Sequence, residues 1–273
     1  MLNWFPTARA QLFCLPPVIR PGGNLNTGQY RDVPIDFENP LFSEELVALK
    51  DYNISGYPFY YTSDGSNEPY CQRLIGSIHE LLTRKTVAKM LQEVNLRLEP
   101  LEFELFVWDA YRPVETQVGI WAFFEAEQKK LNPTFFESEI YSEILKYVSD
   151  PHSFDENNPL TWPTHLTGAS VDLTIMDKKS GELIDMGGAF DQMDDSANID
   201  YFERLLAQGE ISADHSPLLH RRLLLHSMSA SGFTNYPLEF WHFDWGNQMH
   251  KMVKSLLDGH SAEAAVYGIV LKP

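Results

Sequence analysis

The chain of 273 residues has only two cysteines, Cys14 and Cys71. Two thiols exclude a disulfide framework and a cysteine-rich zinc site, leaving either one bridge or two buried free thiols. Basic side chains are also scarce. Lys and Arg number 21 against 38 Asp and Glu, a formal charge of −17. That field repels polyanions, so neither nucleic acid nor an anionic membrane is expected as a partner. No run approaches the ~18 apolar residues that would span a bilayer. Before its first apolar patch the sequence carries only Arg9, and Pro16-Pro17 interrupts the patch, so the pattern of a secretory leader is missing. The expectation is a soluble, cytoplasmic protein. Internal repeats, low-complexity tracts and long linkers are absent, as are GxSxG, Walker A and strand-flanked GxGxxG motifs.

What is present is a globular composition, 44% hydrophobic and 13% aromatic, long enough to bury a core without staples. Residues 1–70 are punctuated by pairs such as Gly22-Gly23 and Ser55-Gly56 and read as irregular chain wrapped on a body. Apolar residues at three- and four-residue steps predict a helix over Gln72–Leu98. A buried strand is expected over Glu102–Trp108, then helices over Val114–Lys130 and Phe136–Val148. Asp150–Pro163 reads as loop and Ala169–Ile175 as strand, with a return strand over Glu182–Met186 after the turn at Asp177–Gly181. Asp191–Ile199 reads as loop, Pro217–Ser231 as helix and Leu238–Trp245 as strand. The sum is one α+β domain over residues 1–273, with helices covering a mostly antiparallel central sheet.

Chemistry concentrates in two segments. Thr164–Asp172 carries His165 and Asp172; Glu239-Phe240-Trp241-His242 carries a carboxylate and a second imidazole. Two imidazoles and one carboxylate, with another carboxylate to spare, are what a catalytic zinc site asks for: three ligands and a nearby base. Spacing permits this without proving it. His165 and Asp172 are seven apart and Glu239 and His242 three apart, so on regular strands each pair would face opposite sides. A bend at Gly168 and a bulge or twist near His242 are required. Taken alone, His165 reads as a surface turn residue. Asp172, Glu239 and His242 are divided between ligation and structural hydrogen bonding. Arg112, at the end of an expected strand, either reaches a cleft as an oxyanion partner or simply pairs with Asp109. Asp191, after Gly187-Gly188, either holds a substrate ammonium or belongs to a solvated acidic loop. His79-Glu80 fails the helical zincin pattern because position 83 is Thr, and His215, His220 and His226 read as helix-surface residues.

These residues also carry a family likeness. The chain resembles D-alanyl-D-alanine dipeptidases of the VanX type, within the zinc D,D-peptidases. That group's pattern S-x-H-x-x-G-x-A-x-D aligns with Pro163–Asp172, and E-x-W-H with Glu239–His242. The dipeptidase branch adds D-x-Y-R-P, here Asp109–Pro113, and M-G-x-x-F-D-x-M, here Met186–Met193. Asn53–Gly56 is similar to its N-F-x-G segment, and Arg221 through Phe233 to its last helix. The likeness runs from about residue 45 to 250, leaving 1–44 as an irregular extension.

The resemblance implies a zinc D,D-peptidase, hedgehog-like fold and one zinc ion held by His165, Asp172 and His242. It implies Glu239 as catalytic base, Arg112 as transition-state partner and Asp191 as receiver of the substrate's amino group. The implied substrate is a small dipeptide such as D-alanyl-D-alanine. Two departures stand out. Pro163 replaces the pattern's Ser, so a hydroxyl is lost near the substrate, and Thr164 is the neighbour that can supply one. Ser170 replaces a similarly small Ala. A cell-wall D,D-carboxypeptidase of the same chemistry and a non-catalytic metal-dependent binding module are the competing readings.

Overall fold

A computed structural model describes residues 14–21, 29–145 and 148–273. The Gly22-Gly23 pair, residues 1–13 and two positions of the expected Phe136–Val148 helix lie outside them. The centre is a five-stranded sheet in the order β2-β4-β5-β7-β6. Its strands are β2 (Ser55–Gly56), β4 (Phe103–Asp109), β5 (Ser170–Asp177), β6 (Thr234–Asn235) and β7 (His242–Asp244). A separate antiparallel pair joins β1 (Leu46–Ala48) to β3 (Leu82–Arg84). The helices are α1 (Lys85–Leu98), α2 (Val114–Leu131), α3 (Glu137–Ile144), α4 (Tyr201–Gln208), α5 (Ser216–Ser229) and α6 (Gln248–Asp258). The central sheet is mixed: β2 joins β4 in parallel and every other pairing is antiparallel. Among the described residues no helix is long and apolar enough to cross a membrane.

Burial explains why these segments fold as they do. α1 turns Val87, Ala88, Leu91, Val94 and Leu98 inward, a stripe at three- and four-residue steps. They join Leu105 and Val107 of β4 and Val171, Leu173 and Ile175 of β5 in one core. Removing such side chains from water is worth roughly 1.5–3 kcal/mol each. Within β5 the alternate residues Asp172 and Thr174 point to the opposite face and are buried there too.

Register then assembles a polar row. Asp172 stands opposite Asp109 on one side and His242 on the other. Between Val107 and Asp109 the β4 register shifts by one residue, so Trp108 is extra. Without that bulge Trp108 would face Asp172, and Asp109 would turn to the other side of the sheet. The bulge is therefore what brings the two aspartates together.

Arg84, 2% exposed, fastens the neighbouring turn. Its guanidinium donates to the carbonyls of Thr167 (2.8 Å), Gly268 (2.9 Å), Phe42 (3.4 Å) and Glu44. It also lies over the Tyr267 ring.

Several expected elements are corrected. The apolar periodicity from Gln72 becomes helix only at Lys85, because Leu82–Arg84 pair with Leu46–Ala48 and cannot be helical. The return strand over Glu182–Met186 reduces to one bridge, Met176 to Leu183. The Leu238–Trp245 strand shortens to His242–Asp244, and Glu239 sits in the turn before it. The Phe136–Val148 helix is assigned only over Glu137–Ile144. Cys14 and Cys71 are both free and exposed, neither bridged nor buried.

Candidate active site

His165 opens a one-turn 3-10 helix, His165–Thr167, closed by Gly168 in the left-handed conformation at φ 69°. A Cβ at Gly168 would lie 2.4 Å from Leu46 Cδ2, so glycine is needed for shape as well as conformation. The turn is pinned by Arg84 N–H and the Thr83 hydroxyl, both donating to the Gly168 carbonyl. His165 thus never lies on a strand, and the seven-residue spacing to Asp172 imposes no opposite-face conflict. The same holds for Glu239, placed in a turn three residues before His242.

Suitable atoms of His165, Asp172 and His242 all lie within 4.8 Å of one another, and all three residues are buried. His165 Nε2 is 3.2 Å from His242 Nδ1 and 3.3 Å from Asp172 Oδ2; His242 Nδ1 is 3.0 Å from Asp172 Oδ1. The outer nitrogens define what the inner ones carry. His165 Nδ1 is 2.7 Å from the Ala110 carbonyl, which can only accept, so the proton is on Nδ1 and the lone pair on Nε2. His242 Nε2 donates to Asp244 Oδ2 at 3.0 Å. Asp244 is fully buried, and its other oxygen receives Ser170 Oγ (2.6 Å) and Asn247 Nδ2 (2.7 Å). Burial would raise the Asp244 pKa, but His242 outweighs it and keeps the carboxyl below its ordinary value.

Two imidazoles anchored from behind thus aim their inner nitrogens at one carboxylate. With the protein groups alone, burial pulls His242 down while Asp244 and Asp172 hold it well above the usual imidazole range. A divalent cation fits in place of that proton, and the donor set of two N and one O suits zinc. Asp172 is also suited to the role. Burial opposes its charge, yet His165 and His242 hold its carboxyl well below the ordinary range.

Around this group stand three further side chains. Glu239 Oε2 is 3.7 Å from His242 Nδ1, and its side chain is 26% exposed. Burial, with Asp172 and Asp191 nearby, pushes its pKa up to about 8 despite His242. Arg112 donates Nε to Asp109 (2.7 Å), Nη1 to Gln117 (2.9 Å), and Nη2 to Asp172 (3.0 Å) and Tyr60 (3.2 Å). Its pairing with Asp109 is present, but so is its reach into the cavity. Asp191 accepts hydrogen bonds from Tyr60 (2.7 Å) and Tyr70 (2.8 Å) on the same oxygen. Its backbone is left-handed at φ 59°. That costs roughly 1–2 kcal/mol, less than two hydrogen bonds to a charged group contribute at about 1.5–3 kcal/mol each. Phe190 anchors the position from inside, stacked on Trp108 at 4.8 Å and edge-on to Phe59 at 4.8 Å. Burial lifts the Asp191 pKa to about 6.

His165, Asp172, His242, Glu239, Arg112, Asp191, Tyr60 and Gln117 line one cavity of about 110 Å³, together with Thr164, Pro163, Tyr30, Tyr236 and Met249. The remaining histidines stay apart from it. His220 and His226 pair with the carbonyls of Asp185 and Pro16. Sequence reading missed Asp244, Tyr60, Tyr70 and Gln117. Asp244 had a signal: two residues beyond His242 on one strand, it shares that residue's face. The two tyrosines lie in irregular chain with no periodicity to mark them.

The equipment gathered here is that of metal-assisted hydrolysis. Over residues 68–261 the chain matches the family model Peptidase_M15, D-ala-D-ala dipeptidase, and it belongs to that family. A D-alanyl-D-alanine dipeptidase of Synechocystis sp. is 28% identical over 231 residues, covering 79% of this chain and 91% of that protein. One from Enterococcus faecalis is 28% identical over 172 residues, covering 61% of this chain and 74% of that protein. A solved vancomycin resistance D,D-pentapeptidase VanY in complex with Zn(II) superposes at a TM-score of 0.44 with 13% identity, over 85% of this chain and 96% of that one.

Proposed function

We infer that this chain is a zinc dipeptidase that hydrolyses the peptide bond of D-alanyl-D-alanine or a closely similar small dipeptide. The observation carrying this is the convergence of two imidazole nitrogens and the Asp172 carboxylate beside Glu239 in a cavity that also presents Asp191. His165, Asp172 and His242 are the ligands in this reading. When bound, the ion supplies Lewis acidity, polarising the scissile carbonyl and lowering the pKa of a water molecule toward about 7.

The chain's own groups do the rest. The Glu239 carboxylate accepts the proton of the attacking water and passes it to the leaving amine. Glu239 stands beside the ligand set, Oε2 3.7 Å from His242 Nδ1, and faces the same cavity. Arg112, held on three sides by Asp109, Gln117 and Asp172, keeps Nη2 at the cavity and stabilises negative charge developing on the carbonyl oxygen. Asp191 receives the free amino group, with Tyr60 and Tyr70 fixing one of its oxygens. Thr164 lines the wall where the family pattern has its Ser neighbour.

An acidic group set to bind a free N-terminus supports a dipeptidase over a carboxypeptidase acting on long peptides. Glu239 and Arg112 in one cavity support an enzyme over a binding module, which needs no base. The test is amine release from D,D-, L,D- and L,L-dipeptides with and without a chelator. D-alanyl-D-alanine turnover that the chelator abolishes and zinc restores is expected; undiminished turnover in metal-free protein would overturn the reading.

A further inference from the structure

One buried cation takes no part in the chemistry described so far. Arg221 of α5 is 1% exposed, and among the described residues it forms no ion pair and leaves Nη2 without a hydrogen-bond acceptor. Its neighbour Arg222, by contrast, is paired with Glu203 at 2.6 Å. A charge buried without an opposite charge is costly, and that burial lowers the Arg221 pKa to about 9. A small hydrophobic residue would fill an ordinary core position on α5 at less expense.

What the guanidinium holds is a loop. Nε donates to the Met186 carbonyl at 2.8 Å and Nη1 to the Asn198 carbonyl at 2.7 Å. Those two carbonyls bracket residues 187–197, the stretch that brings Asp191, Gln192, Met193 and Ala197 to the cavity. The guanidinium carbon also lies over two rings, 4.6 Å from the centroid of Phe202 and 4.3 Å from that of Phe240. Phe240 is the residue after Glu239. Backbone bonds join the loop to the same turn: Phe240 N–H donates to the Ala197 carbonyl at 2.8 Å, and Ile199 N–H to the Pro237 carbonyl at 3.1 Å. The turn is fixed independently by Asn235, whose Nδ2 donates to the carbonyls of Glu239 and His242, both at 2.9 Å. Arg221 therefore grips both ends of the loop where the loop abuts an anchored turn. Asp191 needs such support, since its own backbone is left-handed at φ 59°.

Resting on the dipeptidase reading above, we propose that Arg221 is a positioning residue: it clamps the 187–197 loop against the Glu239 turn and so sets where Asp191 stands relative to the base. An ammonium held by Asp191 is then kept in a fixed place with respect to the attacked carbonyl. The fork of the guanidinium suits the task, because it reaches two carbonyls at once where an ammonium is a single point.

The experiment follows D-alanyl-D-alanine turnover by the zinc-loaded full chain. Arg221→Met is expected to raise KM about tenfold or more, as the charge-assisted contact at Asp191 loosens, with a smaller change in kcat and bound zinc unchanged. Arg221→Lys should recover part of the loss. In an Asp191→Asn background Arg221→Met should add nothing further to KM, because the contact it serves is already gone. A merely structural role would lower the melting temperature in both backgrounds and leave KM in place. Gly188→Ala covers the case in which Arg221→Met does not fold. Its Cβ would lie 3.3 Å from Nη2 and 3.2 Å from Gln192 Oε1, crowding the clamp while the cation stays, so KM should move the same way by less. Hydrogen exchange reads the clamp without turnover: amides of residues 187–197 should exchange faster in Arg221→Met. If wild type cleaves the dipeptide and these variants keep its KM, or the loss is the same in both backgrounds, this proposal fails and the dipeptidase reading stands. If wild type cleaves no dipeptide, that reading fails and takes the role in catalysis with it. Unchanged exchange would sink the clamp by itself.

Discussion

His165 Nε2 and His242 Nδ1 face each other across 3.2 Å while their outer nitrogens are engaged by the Ala110 carbonyl and Asp244. On the proposed reading, a cation shared by these two imidazoles and Asp172 would stabilise the arrangement. Zinc should therefore act on the fold as well as on turnover. Free zinc at one hundred times its Kd is expected to add about 2.7 kcal/mol of stability. Thermal melting against added zinc measures this, and His242→Ala should abolish the gain. A melting temperature indifferent to zinc in wild type would count against a site at these residues.

Glu239→Gln removes the proton carrier of the proposed reaction and keeps the side chain's shape. The expected loss in kcat is ~10²–10⁴-fold, with bound zinc unchanged at one per chain by atomic absorption. Loss of zinc along with activity would reassign Glu239 from base to ligand.

Asp244 lines no part of the cavity but receives the outer proton of His242. Asp244→Asn weakens that acceptor while retaining a group that Ser170 and Asn247 can reach. Zinc affinity is expected to fall about 10–100-fold, read by competition with a fluorescent chelator. Unchanged affinity would show that the outer hydrogen bond does not tune the ligand.

Asp191 titrates near pH 6 rather than near 3.9, because burial disfavours its charge. Between those pH values the folded protein holds more protons on this group than the unfolded chain. Its contribution to stability is therefore lost as pH rises from about 4 to about 6. Substrate binding runs the other way, since only the ionised carboxylate holds an ammonium. KM should fall as pH rises through about 6, and Asp191→Asn should flatten that dependence while raising KM throughout. A wild-type KM profile without an inflection there would remove Asp191 from ammonium binding.

The convergence of His165, Asp172 and His242 was legible because chemistry dictates residue type. An aspartate between Val171 and Leu173 demands partners wherever it is buried. The strand expected over Glu102–Trp108 and the helices expected over Val114–Lys130 and Pro217–Ser231 are found at Phe103–Asp109, Val114–Leu131 and Ser216–Ser229. Other features depended on distant chain. Leu74, Ile78 and Leu81 keep helical spacing, but nothing local shows that residues 82–84 pair with 46–48. The Trp108 bulge is set by β5, and the grip of Tyr60 and Tyr70 on Asp191 spans 131 and 121 residues. Parity arguments that placed His165 against Asp172 assumed strand where the chain forms a 3-10 turn.

The guanidinium of Arg84 joins carbonyls at 42 and 44, at 167 and at 268. One of those positions lies two residues from His165, and the others are remote in sequence. Loosening either peripheral stretch, by a cut or by an inserted residue, would withdraw support from the loop that holds the His165 imidazole toward Asp172 and His242. Damage far from the reaction would then be felt first as poorer metal retention, before any loss of secondary structure.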